Sequence, residues 1–346
     1  MSQTLPVAVF GAGHMGRHHI RIYSQMPGVK LVAVIDPSIE RARSLAEPVG
    51  AKWSTHWTPE LCDLAAATIA VPTVRHLDVS RPLLERGVHL LIEKPLAPDV
   101  QSAEAIAALA RRHDAIVHVG HTERFNPAVL AVGRLGIRPG FVETQRISPF
   151  TFRSADIGVV FDMMIHDIDV TLSMIREPVE RVDAVGVAVL GPYEDVCNAR
   201  VVFESGAVAT LTASRLALKT ERKLRAFAPN AYISLDYQKK LGVAITKDRN
   251  LDVLKLARER NFEDLSQLAG IDFGKMVHVE PLTVESRDAL ETEIQTFIQT
   301  VRTRSDSAAK PPEFTAAGVE DGVAAVRLAS RIVERVAEHR WAEALA

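Results

Sequence analysis

The chain has 346 residues, with 41 Lys and Arg against 43 Asp and Glu, and 47% of it is hydrophobic. This length predicts two domains, each large enough to bury a core, and the near balance of charge argues against a nucleic-acid partner or an anionic membrane surface, both of which call for a basic field. Cys62 and Cys197 are the only cysteines and form no C-x-x-C motif, which argues against a disulfide framework; with no legible signal peptide, transmembrane run or lipidation motif, they read as small buried hydrophobes of a cytoplasmic protein.

Pro6 to Phe10 is a short apolar run that predicts a buried strand. It runs into Gly11-Ala12-Gly13-His14-Met15-Gly16, a match to G-x-G-x-x-G, and then into an amphipathic stretch from Arg17 to Gln25. Strand, glycine turn and helix in that order let the backbone approach a pyrophosphate resting on the helix N-terminus. Leu31 to Ile35 predicts a second strand ending in Asp36, twenty positions past Gly16, where a carboxylate would bond the ribose hydroxyls of a dinucleotide. A 2′-phosphate would be repelled there, so the cofactor reads as NAD, while Arg41 and Arg43 leave its strictness over NADP open.

Thr68 to Val71, Val88 to Ile92 and Ala115 to Val119 predict further buried strands with helical patterns between them, hence a parallel, doubly wound sheet. Pro72-Thr73 follows one strand end and His76 lies a turn further, so this loop borders the ligand crevice, as cofactor contact or as a plain turn. Glu93-Lys94-Pro95 closes another strand. A lysine at the carboxyl end of such a strand projects into the crevice where these sheets hold their ligands, and proline after it keeps the chain extended.

Ile157 to Ile175 is apolar almost all round, as a buried helix is, yet carries Asp162, His166, Asp167 and Asp169. On an α-helix Asp162, His166 and Asp169 share one face. A carboxylate one turn from an imidazole can orient it as a general base; a satisfied core histidine is the alternative. A divalent metal is a weaker rival, because the cysteines offer nothing and no second histidine cluster lies nearby.

Val182 to Leu190, Asn198 to Phe203, Ala207 to Leu216, Leu224 to Ala228, Ala231 to Asp236 and Val243 to Thr246 predict strands, with a hairpin turn at Glu204-Ser205-Gly206. Such a succession implies an antiparallel sheet that leaves one face free. Helical patterns resume over Leu251 to Leu268, Val284 to Thr303 and Val319 to Glu338, with a polar loop from Ser305 to Pro312.

The glycine motif at 11 to 16, Glu93-Lys94-Pro95 and Asp162-x-x-x-His166, in this order, resemble the Gfo/Idh/MocA family of oxidoreductases. The resemblance implies a Rossmann dinucleotide-binding domain, residues 1–122, and a C-terminal α/β domain with an open, mainly antiparallel sheet, residues 123–346, whose last helix packs back on the first domain. It further implies an NAD-dependent dehydrogenase acting on CH-OH groups, in which His166 is the acid/base, Lys94 polarises the hydroxyl or relays its proton and Asp162 orients them. The cofactor would meet Gly11, Gly13, His14, Met15, Gly16, Asp36, Arg41, Pro72, Thr73, His76, Glu93 and Lys94, and the free sheet face would join subunits of a homo-oligomer.

The segments His121 to Pro127, Ser148 to Arg153 and Tyr232 to Tyr237 are similar to the branch of this family that includes UDP-N-acetylglucosamine 3-dehydrogenases of lipid A precursor synthesis. That implies oxidation of a sugar nucleotide to its 3-keto form, for a partner aminotransferase to consume. Substrate contacts would fall to Lys94, Arg124, Asn126, Arg153, His166 and Arg215, with Arg222 a further candidate for the diphosphate, since guanidinium forks suit phosphate oxygens. A free-sugar or inositol dehydrogenase, and a non-catalytic NAD-binding sensor, are the alternatives; the presence of Lys94, Asp162 and His166 argues against the sensor.

Overall fold

The computed structural model describes residues 4–151, 157–247, 277–282, 287–305 and 311–340. The first third alternates strand and helix: β1 (Leu5–Phe10), α1 (His14–Gln25), β2 (Val29–Ile35), α2 (Ile39–Ala46), β3 (Lys52–Ser54), β4 (Ala66–Ile69), α3 (His76–Leu84), β5 (His89–Glu93), α4 (Val100–Arg112) and β6 (Val117–Gly120). These six strands pair in parallel in the order β6-β5-β4-β1-β2-β3, and a two-residue strand β15 (Ala317–Gly318) adds antiparallel to the β6 edge.

Side chains alternate across a strand, so β1 feeds two cores. Val7 and Val9 pack with Ile20 and Tyr23 of α1, Ala42 of α2, and Ile294, Phe297, Ile298 and Val301 of α7 (Ala289–Ser305). Ala8 and Phe10 pack on the other side with Leu83 and Leu84 of α3, Ile106 of α4, and Val323 and Val326 of α8 (Val319–Glu338). Each fully buried side chain of this size contributes about 1.5–3 kcal/mol, which explains why both faces of the parallel sheet are covered. One compact unit takes the described residues of Met1–Phe125, Val160–Ser173 and Arg287–Glu338; a second takes those of Asn126–Val159, Met174–Ser286 and His339–Ala346.

The second unit holds an eight-stranded sheet of order β14-β13-β12-β11-β7-β10-β9-β8, antiparallel throughout except between β7 and β10. Its strands are β7 (Phe141–Ile147), β8 (Val179–Val187), β9 (Val196–Phe203), β10 (Val208–Ser214), β11 (Glu221–Ala228), β12 (Ala231–Asp236), β13 (Leu241–Lys247) and β14 (Val277–Pro281). On β10, Ala209, Leu211 and Ala213 are buried while the residues between them stay partly exposed. The hairpin at Glu204-Ser205-Gly206 forms as expected, with Gly206 at φ +84 and its N–H on the Phe203 carbonyl.

Two strands escape the sequence reading and two helical readings change. β7 escapes sequence reading because Arg146, 3% exposed, stands on its buried face and makes the strand look polar on both sides. β3 escapes it by being three residues long. The helix read over Ile157 to Ile175 is two elements, a wide π-helical turn at Val160–Met164 followed by α6 (Ile165–Ile175), so Asp162 and His166 do not share one α-helical register. The α7 reading begins early; α8 has the expected bounds. The Leu251 to Leu268 helix and Arg153 lie outside the described residues.

The glycine turn leaves no room for a side chain at two of its three glycines. A Cβ on Gly16 would lie 1.7 Å from the Gly11 carbonyl oxygen, and one on Gly11, held at φ +95, would lie 2.4 Å from the Ala70 carbonyl oxygen. A Cβ on Gly13 would meet nothing within 4 Å. Gly16→Ala is therefore expected to lower unfolding free energy by about 1–3 kcal/mol or more, whereas Gly13→Ala should stay within about 0.5 kcal/mol of the parent. Urea melts of the three proteins check this, and equal midpoints for Gly16→Ala and the parent would contradict it.

Candidate active site

The turn between β1 and α1 offers a place for an anion. Gly13 caps α1 without a side-chain bond, the first turn of the helix has no acidic residue, and the space a Gly13 side chain would fill is open. The first N–H groups of a helix lack intrahelical partners, and the positive end of α1 faces that space, so the residues fit a dinucleotide pyrophosphate. His14 is exposed and Met15 partly so. Asp36, at the end of β2, is 4% exposed. Its Oδ2 accepts the Ala12 N–H at 2.7 Å and its Oδ1 accepts the Ser38 N–H at 2.8 Å and Arg41 Nη2 at 3.0 Å. The carboxylate is thus fixed beside the glycine turn, with Arg41 folded over it.

After β4, Pro72 is exposed and Thr73 starts a short 3₁₀ turn. His76 is buried: Nε2 lies 3.0 Å from the Val71 carbonyl and Nδ1 3.2 Å from the Leu96 carbonyl, so the ring ties the loop after β4 to the loop after β5. Burial lowers its pKa below the usual histidine value, and a neutral imidazole donates to one of the two carbonyls. The ring thus has a structural role in joining the two loops that border the crevice.

β5 ends with two side chains that diverge. Glu93, 8% exposed, turns inward and meets Nε2 of His19 at 2.9 Å, and that ring continues to Thr68 and Tyr23. Glu93 thus has an internal partner behind the crevice. Lys94 points the other way. Its Nζ donates to the backbone carbonyl of Asp162 at 2.7 Å and lies 3.6 Å from the Asp162 carboxylate. The π-helical turn thus sets Asp162 on the lysine, and His166, partly exposed, follows as the second residue of α6.

Asp169, read from sequence as a third group on the histidine's face, is committed elsewhere. Arg124 holds it with two 2.7 Å bonds, Nε to Oδ2 and Nη2 to Oδ1. Arg215, in the second unit, donates to Asp195 at 2.6 Å and to the Ile157 carbonyl at 2.7 Å, and its guanidinium stands over the Phe150 ring. Both arginines thus have internal acceptors. Asn126 caps α5 (Pro127–Gly133) by accepting the Ala128 N–H.

Sequence reading missed Glu293, on α7. It is 1% exposed, its Oε2 accepts from Thr122, and its Oε1 has no hydrogen-bond partner among the described residues. A single acid within an amphipathic helix carries no sign of burial, which is why sequence alone could not find it. Among the described residues no group of three or more His, Cys, Asp or Glu is arranged to hold a metal ion, and no helix is long and apolar enough to cross a membrane.

Fold and site together define a nicotinamide-dependent oxidoreductase. Residues 5–121 match the model of the oxidoreductase family with an NAD-binding Rossmann fold, and residues 139–233 match the GFO/IDH/MocA C-terminal domain. The chain belongs to the Gfo/Idh/MocA family, and its cofactor is NAD. It is 32% identical to the UDP-N-acetylglucosamine 3-dehydrogenase of Acidithiobacillus ferrooxidans, over 95% of this chain and 96% of that one. A solved structure of that enzyme matches with a TM-score of 0.81 at 28% identity, covering 96% of this chain and 97% of the other. The scyllo-inositol 2-dehydrogenase (NAD(+)) of Bacillus subtilis is 31% identical, over 62% of this chain and 68% of its own.

Glu293 generates a pH prediction. Burial, then the nearby Glu93 and Asp169 carboxylates, raise its pKa well above 4.5 against the pull of the Thr122 hydroxyl. The folded chain therefore binds a proton that the unfolded chain releases near pH 4.5, and the stability this group contributes is full below that pH and lost as pH rises. Glu293→Gln keeps the acceptor for Thr122 and removes the titration. Between pH 5 and the folded pKa the melting temperature of the parent should fall relative to that of Glu293→Gln; parallel curves would contradict the neutral acid.

Proposed function

We propose that the protein oxidises the 3-hydroxyl of a sugar nucleotide, UDP-N-acetylglucosamine, to a ketone, with His166 and Lys94 handling the hydroxyl proton. The reading is carried by the Lys94–Asp162 contact at the carboxyl end of β5, with His166 four positions on, in a chain that is similar along almost its whole length to a UDP-N-acetylglucosamine 3-dehydrogenase. The inositol dehydrogenase match covers less of the chain.

In the proposed site the turn from Gly11 to Gly16 receives the pyrophosphate, Asp36 and Arg41 face the adenosine ribose, and Pro72 and Thr73 line the crevice. Bound NAD supplies the hydride acceptor. His166 removes the hydroxyl proton as the C–H bond breaks, and the Lys94 ammonium stabilises the negative charge growing on the same oxygen. Asp162 keeps that ammonium aimed through its carbonyl and its carboxylate. Arg153 keeps the diphosphate role that its resemblance implies.

The 3-keto product suits a following aminotransferase, in the manner of lipid A precursor synthesis, and the setting proposed is the cytoplasm. For assembly we propose a homo-oligomer through the second sheet. Its partly exposed face carries the aromatic row Phe141, Phe227 and Tyr232 beside the Arg225–Glu143 pair, a mixture of apolar and polar groups that suits a second copy.

A panel of UDP-sugars, free hexoses and inositols, assayed for NAD reduction with a carbonyl trap to draw off the ketone, tests the substrate. UDP-N-acetylglucosamine should turn over and free N-acetylglucosamine should be far poorer, since binding energy from the remote nucleotide positions the sugar. His166→Ala and Lys94→Ala should each lose about a hundredfold to ten-thousandfold in turnover while still binding NAD. Rapid turnover of inositol with none of any UDP-sugar would replace this reading with the polyol one.

A further inference from the structure

Arg124 stands at the end of β6, one strand over from Lys94. β5 and β6 pair in parallel with Glu93 opposite Gly120, so Lys94 and His121 leave the sheet side by side, and Arg124 closes the turn that follows, its N–H on the His121 carbonyl. From there the guanidinium reaches two helices. Nε and Nη2 hold the Asp169 carboxylate of α6 in a fork, each bond 2.7 Å, and Nη1 donates to the Asp321 carboxylate of α8 at 3.3 Å. The same Asp321 carboxylate accepts the Gly318 N–H at 2.9 Å, which ties the start of α8 to the β15 edge.

Asp169 is 1% exposed, and the Arg124 side chain 10%. Burial works against the guanidinium charge, but Asp169 and Asp321 outweigh it and hold the Arg124 pKa above its ordinary value. His121 Nε2 also lies near Asp169, at 3.8 Å, beyond hydrogen-bond distance. Burial keeps that ring below the usual histidine pKa, against the pull of Asp169. Arg124 is thus the group that neutralises Asp169.

On α6, Asp169 lies three residues beyond His166, and seven beyond Asp162 on the π-helical turn. The segment from Asp162 to Asp169 is therefore pinned at two points: the Lys94 ammonium holds Asp162, and the Arg124 fork holds Asp169. His166 lies between the pins. A segment held at one point can rotate or slide along its axis; held at two it cannot, and bidentate guanidinium–carboxylate geometry is specific in direction as well as strong.

We propose that Arg124 is a positioning residue of the reaction, which fixes through Asp169 where His166 stands relative to Lys94. This rests on the catalytic reading of Lys94 and His166 given above. A fork to Asp169 cannot be copied by an ammonium, so Arg124→Lys should keep the charge and lose the alignment.

The test uses full-length Arg124→Lys, Arg124→Gln and Asp321→Asn, assayed with NAD and UDP-N-acetylglucosamine well below their melting temperatures, beside NAD binding and amide exchange of α6. Displacement of a reacting group by about an ångström costs on the order of a hundredfold in rate. Arg124→Gln should therefore lose about a hundredfold in kcat, with KM and NAD affinity changed little and faster exchange in α6 but not in β1 or β4. Arg124→Lys should fall between it and the parent, and Asp321→Asn should stay within a few fold of the parent. A folded Arg124→Gln with parental kcat and parental α6 exchange would overturn the proposal, as would a melting temperature that falls while kcat per folded molecule stays put. If Arg124→Gln does not fold, Arg124→Lys decides by the same readouts. If the parent turns over no sugar nucleotide, the substrate reading fails while α6 exchange still judges the pin.

Discussion

The bond from the Lys94 ammonium to the Asp162 carbonyl is the constraint on which the site depends. An ammonium at a strand end, with 21% of its side chain exposed, needs acceptors in fixed positions. The π-helical turn at Val160–Met164 supplies one from the backbone and brings the Asp162 carboxylate close. Wide turns of this kind recur at functional sites because they redirect a side chain that a regular helix would carry past. Here the turn joins residues 68 positions apart and decides where α6, with His166, begins.

Around that bond the fold manages a surplus of acids. Glu93, Asp162, Asp169, Glu293 and Asp321 all belong to the first unit, as do Lys94 and Arg124. Left ionised and unpaired, so many carboxylates would repel one another, at the greatest cost for the buried Glu93, Asp169 and Glu293. Each acid has its own solution. Glu93 meets His19, Asp169 and Asp321 meet Arg124, Asp162 meets Lys94, and burial raises the pKa of Glu293 so that it ionises less readily. The arrangement leaves the Lys94 ammonium, held by Asp162, facing the crevice, while His19 and Arg124 partner the carboxylates behind it.

Where local chemistry dictates structure, the sequence was readable. The glycines at 11, 13 and 16 are confined by backbone contacts and by the open space a ligand would enter, so their spacing pointed to the turn, and Asp36 and Lys94 followed from strand ends. Long-range pairing was not readable. Arg124 and Asp169 are 45 residues apart and Arg215 and Asp195 are 20 apart, and nothing in either local segment marks an arginine as engaged with a carboxylate in place of a phosphate. β7 was hidden by the same kind of group, a buried arginine whose ring partner, Tyr237, comes from the end of another strand's loop. The break at Met164 and Ile165 was hidden because apolar residues run unbroken through it.

The account makes the sugar carbon the source of the electrons and NAD their acceptor. UDP-N-acetylglucosamine carrying deuterium at C3, mixed with the enzyme and NAD, measures that directly by mass spectrometry of the reduced cofactor. The account predicts deuterated NADH, formed more slowly than from the unlabelled sugar. Unlabelled NADH, or a reduced cofactor whose deuterium comes only from a sugar labelled at another carbon, would contradict it.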